Sequence, residues 1–193
     1  MTASLVNVLE KNKHLFFPVV HFEPVKDKLL KMDFTEANKD LTKIIIEDVT
    51  LYSDYVDQKL KQASAKFGIG GYAEHRTVYS RSKVFDAVDG SEPRRLHLGI
   101  DIWGEAGTPV YAPLGGMIHS YKFNDQYGDY GATVILLHQL DGVAFYTLYG
   151  HLSLHWLTGN ILTVGRSLLI LVCRQKMVTG RRICISRLSI IWS

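Results

Sequence analysis

Only two cysteines occur in the 193 residues, Cys173 and Cys184, both towards the C-terminal end. Two thiols so placed do not make a disulfide framework, and alone they do not make a zinc site. There is no run of 18 apolar residues, so no helix is expected to span a membrane. The opening segment, MTASLVNVLEKNKHLFF, has no basic stretch followed by an apolar core. It does not read as a signal peptide, and a cytoplasmic location is the default expectation. A strong net charge is also missing. At +3 the chain gives no basis for binding nucleic acid. Internal repeats and low-complexity segments are absent. Residues 160–193 contain no Asp or Glu, yet carry Arg166, Arg174, Lys176, Arg181, Arg182 and Arg187.

What is present is a globular composition, 47% hydrophobic, in a length suited to one domain with an extension. Residues 1–68 read as a helical N-terminal extension. In DVTLYSDYVDQKLKQASAKFG, the side chains of Leu51, Tyr55, Leu60, Ala63 and Phe67 fall near one helical face. Asp48 or Thr50 can cap its start and Gly68 can end it. DKLLKMDFTEANKDL is a weaker helical candidate. GIGGYAEHRTVYSRSKVFDAVDGSEPRR reads as a polar connection between the helical part and a β-rich part.

From His97 the period changes to two. In HLGIDI, Leu98, Ile100 and Ile102 point one way, while His97, Gly99 and Asp101 point the other. Imidazole and carboxylate thus share a strand face, with a glycine leaving the space between them open. They are candidate ligands of one metal ion. A catalytic zinc site takes three protein ligands and keeps a fourth position for water, so one ligand is still wanting. His/Asp ligation suits zinc over softer or harder ions. Further on, ATVILLHQL and VAFYTLYGHLSL flank Asp141-Gly142, a strong hairpin signal. Simple alternation along the second run puts Val143, Phe145, Thr147, Tyr149 and His151 on one face. Residues 97–157 are therefore expected to form one antiparallel sheet. His14, His21, His75 and His155 read as surface or core residues, and His119 and His138 as structural strand residues.

The segments HLGIDIWGEAGTPVYAPLGGMIHS, GDYGATVILLHQLDG and FYTLYGHLSL resemble the core of the lysostaphin- and LytM-type zinc metallopeptidases, which cut peptide cross-links in bacterial cell walls. The resemblance covers about residues 95–157. It implies a mainly β fold, an antiparallel sheet or sandwich core, which with the helical extension gives α+β overall. It implies that His97 and Asp101 bind Zn2+, that His151 is a catalytic histidine, and that the substrate is a peptide or peptidoglycan-like. Zinc would lower the pKa of its bound water towards about 7 and polarise the scissile carbonyl. Degenerate relatives serve as binding modules that regulate amidases, which is the alternative function. Phosphocarrier domains on a related β scaffold are a more distant one.

The family's third zinc ligand comes from a later His-x-His, usually in Pro-His-Leu-His-Phe. Here no histidine follows His155. A shifted reading frame offers an explanation. Taking the last base of each codon with the first two of the next, Cys184-Ile185 encodes only His or Tyr. Ile183-Cys184 encodes only Leu or Met. Arg181-Arg182, Arg182-Ile183 and Ile185-Ser186 permit Pro, His and Phe. The expected organisation is therefore a 1–68 extension, a 69–159 metallopeptidase core and a 160–193 basic tail out of frame from about Gly159-Asn160. On this reading the final strands of the sheet should be missing or poorly packed.

Overall fold

The structure is a computed structural model, and it describes residues 4–76, 96–124 and 129–153, with the backbone of 170–172 and 184–191. The expectations for His155, Cys173 and residues 77–95 fall outside the described residues. Among the described residues, no helix is long and apolar enough to cross a membrane.

The N-terminal part is less helical than its pattern suggests. Helix α1 (Leu5–Lys11) and a 3-10 turn at Lys13–Leu15 come first. The weaker helical candidate instead contains strand β1 (Leu29–Met32). The polar residues just after that strand explain this. Asp33 Oδ1 accepts from the Thr35 amide at 2.9 Å, and the Asn38 amide side chain donates to the Asp33 carbonyl at 2.6 Å. Such side chains bond the nearby backbone in place of the helical ladder.

Helix α2 (Lys43–Glu47) leads into α3 (Val49–Ala63). Asp48 caps α3, accepting from the Thr50 and Leu51 amides at 2.7 and 3.0 Å, a contribution of about 1 kcal/mol. The buried stripe is Tyr52, Ser53 and Val56, with Tyr55 and Leu60 partly covered, whereas Leu51 is exposed. The face is thus rotated by one residue from the one expected. The helix also ends earlier than Gly68. Ser64 adopts a left-handed conformation, φ 50°, and Phe67 and Gly68 enter strand β2 (Phe67–Gly70).

Strands β3 (Glu74–His75), β4 (Leu96–His97), β5 (Ile100–Gly104), β6 (Pro109–Tyr111), β7 (Met117–Asn124), β8 (Gly131–Leu140), β9 (Val143–Leu152), β10 (Ile170–Val172) and β11 (Cys184–Ile191) complete the fold. The main sheet has seven strands in the order β1-β2-β5-β11-β9-β8-β7. Among the described residues its only parallel pair is β1 with β2. The architecture is mainly β, and α+β overall, as expected. The expectation of a single sheet over 97–157 is corrected: β4 pairs with β3, and β6 with β10, in separate two-stranded sheets. The tail also differs from expectation. The backbone of β11 fills the slot between β5 and β9.

Two layers cover opposite faces of this sheet. Phe145, with Leu140, packs on Val8 of α1, while Val134, Leu136, Tyr149 and Leu152 pack with Val110. On the other side Trp103 of β5 meets Phe34, Tyr52 and Val56. The β8–β9 hairpin turns at Asp141-Gly142 with φ 49° and 79°, as its sequence predicts. Lys11 and Asn12 bond the Asp141 carboxylate at 2.7 and 3.0 Å, tying α1 to that turn.

Candidate metal centre

Alternation through HLGIDIW holds, and the burial it produces inverts the usual sense. His97, Asp101 and Trp103 are buried, while Leu98 is exposed and Ile100 and Ile102 are partly so. A polar pair is thus kept out of water by the structure around it. His97 is 0% exposed and Asp101 5%. Such groups persist in a core only when bonded or charge-compensated.

The imidazole of His97 is oriented by its Nδ1, which lies 3.2 Å from the Gly71 carbonyl oxygen. A nitrogen facing a carbonyl carries the proton and donates it. The Nε2 lone pair then faces Asp101 Oδ1 at 3.3 Å. Lone pair against carboxylate is repulsive unless a proton or a cation lies between them. Two ligands of one tetrahedral zinc, each about 2.0–2.2 Å from it, stand roughly 3.3 Å apart. A ligating histidine usually donates its other N–H to a carbonyl or carboxylate. These two side chains fit a zinc ion as two of its ligands. Among the described residues, however, no group of three or more His, Cys, Asp and Glu is placed to hold a metal.

The second carboxylate oxygen of Asp101 is held by Arg76 Nη1 in a short ion pair. Arg76 Nε donates to Glu74 Oε2 at 2.6 Å, and Glu74 Oε1 accepts from the Phe34 amide at 3.3 Å. The guanidinium lies over the rings of Phe34 and Trp103, 5.4 and 5.6 Å from their centroids. Burial by itself would push the Arg76 pKa down, but Asp101 and Glu74 more than offset this and hold it above its ordinary value. Gly70 makes the necessary room, since a Cβ there would stand 2.5 Å from Arg76 Nη2 and 2.6 Å from the Trp103 ring. Sequence reasoning missed Glu74 and Arg76. They lie in a stretch read as a connection, where no periodicity marks a residue as buried.

His151 reaches the site's side of the sheet through a backbone irregularity. Tyr149 pairs with Val134, but Leu152 pairs with Ala132, so two residues, Gly150 and His151, oppose Thr133. This is a β-bulge, a device that re-aims side chains. His151 has φ 57°, and its amide donates to the Tyr130 carbonyl at 2.6 Å. Tyr149 and Leu152 both pack in the cluster with Val110, which leaves Gly150 and His151 on the opposite face. The expectation that His151 shares the Tyr149 face is therefore corrected. Position 187 of β11 pairs with both Asp101 and Gly150, and directly paired residues share a face. Asp101 and Gly150 thus occupy one face of the sheet, separated by β11, at about 10 Å between Cα atoms for two strand spacings. Tyr130, also missed by the sequence reasoning, borders this place, with its ring 6.4 Å from that of His151.

The other described histidines lie elsewhere. His14, His21, His75 and His119 are exposed. His138 is buried and structural, with Nδ1 3.0 Å from the Gly115 carbonyl and Nε2 2.7 Å from the Thr147 hydroxyl.

Comparison with curated proteins and with solved structures returns no match. Residues 95–165 match the family model described as Peptidase family M23, which is consistent with the lysostaphin- and LytM-type resemblance and supports a peptidase of that family.

Proposed function

We propose that this chain carries the scaffold of a zinc metalloendopeptidase that hydrolyses peptide bonds of peptidoglycan-like substrates. In this reading His97 and Asp101 are zinc ligands and His151 is the catalytic histidine. The observation that supports it most is the pairing of His97 Nε2 with Asp101 Oδ1 at 3.3 Å, with Nδ1 engaged by the Gly71 carbonyl. A bound zinc supplies Lewis-acid polarisation and a water of lowered pKa. The protein's part is to orient His97 through Gly71, to hold Asp101 in place and to exclude bulk water from both. His151 is suited to donate a hydrogen bond to the developing oxyanion or to hand a proton to the departing amine.

In this reading residues 156–193 offer no His-x-His for the family's third zinc ligand, and the chain as given is expected to show no turnover. The frame reading accounts for this, and the family match at residue 165 stops close to the expected break. The nucleotide sequence tests it directly. A single-base change near codon 160 must open a frame encoding His-x-His, and if none does the frame reading fails. Purified protein, in its present form and with the frame restored, is then compared by zinc titration of the metal-free form and by hydrolysis of cross-linked wall peptides with zinc added. Expected are tight zinc binding and turnover only after restoration, both abolished by a chelator. Absence of turnover in the restored protein overturns the peptidase reading.

The alternative is a non-catalytic module that regulates a cell-wall amidase. The incomplete ligand set favours it. Retention of a wall amidase by this chain, with its activity raised, would support that reading.

A further inference from the structure

The geometry points to Arg76 as the positioning residue for Asp101: its fork holds Oδ2 so that Oδ1 alone faces His97 Nε2. This rests on the reading of Asp101 as a metal ligand. A carboxylate on a strand can rotate about its side-chain bonds and can bind an ion through one oxygen or both. Arg76 removes that choice by bonding one oxygen. Its own position is fixed from three sides. Glu74 takes Nε, the guanidinium lies against the adjacent rings of Phe34 and Trp103, and Gly70 leaves space behind Nη2.

Planar, forked donors suit this task better than an ammonium, because the second bond to Glu74 fixes the direction of the first. Charge works in the same direction. Arg76 lies between Glu74 and Asp101, so the three groups together carry −1 when ionised. The carboxylate is compensated well enough to stay buried, and the cluster still attracts a cation. Glu74 and Arg76 thereby make the N-terminal part of the chain a component of the site. Phe34 and β3 fix the arginine that fixes the ligand on β5.

The test compares the full chain with Arg76→Met, Arg76→Lys and Glu74→Gln. Methionine can still cover the rings of Phe34 and Trp103, lysine keeps the charge without the fork, and Glu74→Gln loosens Arg76 without touching Asp101. Co2+ binding is followed by calorimetry and by its visible absorption, and crystal structures report the Asp101 side chain. Arg76→Met is expected to lower Co2+ affinity about 10- to 100-fold. Its absorption should weaken as the freed carboxylate binds through both oxygens, and in the metal-free crystal Asp101 Oδ1 should no longer be held facing His97 Nε2. Lysine should recover part of the loss. A purely packing role would lower stability and leave the spectrum of bound Co2+ unchanged.

If Arg76→Met does not fold, Arg76→Lys and Glu74→Gln decide, each with an expected loss of about 10-fold. Affinity within twofold of the parent, with Asp101 Oδ1 still facing His97, overturns the inference. If the parent chain binds no Co2+, the metal reading fails for this chain. The crystal structures alone then decide whether Arg76 positions Asp101.

Discussion

The charge on Asp101 is compensated in the fold by Arg76, both groups being almost fully out of water. Replacing Asp101 by Asn keeps the shape but leaves a buried guanidinium facing a neutral amide. Removing one partner of a buried pair costs about 3–5 kcal/mol. Because Glu74 still bonds Arg76, the expected loss is at the low end, about 3 kcal/mol, measured by urea unfolding. A loss below about 1 kcal/mol would show that Glu74 alone satisfies the guanidinium. On the opposite face, burial pushes the His138 pKa below its ordinary value of 6.5. The unfolded chain therefore takes up this proton at higher pH than the folded one. The contribution is whole above 6.5 and is lost as pH falls through the lower folded value. Burial also pushes the Tyr149 hydroxyl up from its ordinary 10.0, which costs stability as pH rises above 10. Unfolding free energy should thus fall at both ends, and His138→Gln should flatten the acidic limb. An unchanged acidic limb in that variant would assign it to other groups.

At the scale of the element, the bulge in β9 does what alternation cannot. Without it His151 would join Phe145, Thr147 and Tyr149 on the packed face. The bulge requires a left-handed residue, and histidine holds that conformation at φ 57°, at a cost of about 1–2 kcal/mol relative to glycine. His151→Gly is accordingly expected to raise unfolding free energy by about 1 kcal/mol. Denaturant titration checks this, and a decrease would mean that the contacts of the imidazole outweigh the backbone strain. Gly150 also serves the bulge, since a Cβ there would meet the Tyr130 ring at 3.0 Å. A local preference set aside for the sake of one side chain's direction is common at functional sites.

For the molecule as a whole, the central place of β11 matters most. It joins β5, which carries Asp101, to β9, which carries His151. Deleting residues 160–193 would open two unpaired edges in the middle of the sheet, and exposed edges recruit other chains. The truncated protein is expected to aggregate, whereas the full chain elutes as a discrete species in size-exclusion chromatography. A soluble, cooperatively melting truncated chain would show that β5 and β9 can do without this strand. The β11 residue at the register position opposite Asp101 is Arg187.

The local pattern by itself determined the hairpin at Asp141-Gly142, the capped helix after Asp48 and the shared face of His97 and Asp101. Each rests on contacts within a few residues: a turn dipeptide, a side chain bonding nearby amides, a period of two. Tertiary structure alone decided the rest. Leu29–Met32 became a strand because Phe67–Gly70 offered it a partner. The polar face of HLGIDI became the buried one because Phe34, Gly70 and Arg76 closed over it. His151 left the Tyr149 face because one extra residue opposes Thr133. Pairing, burial and bulges depend on what lies opposite in space, and a period along the chain carries no record of that.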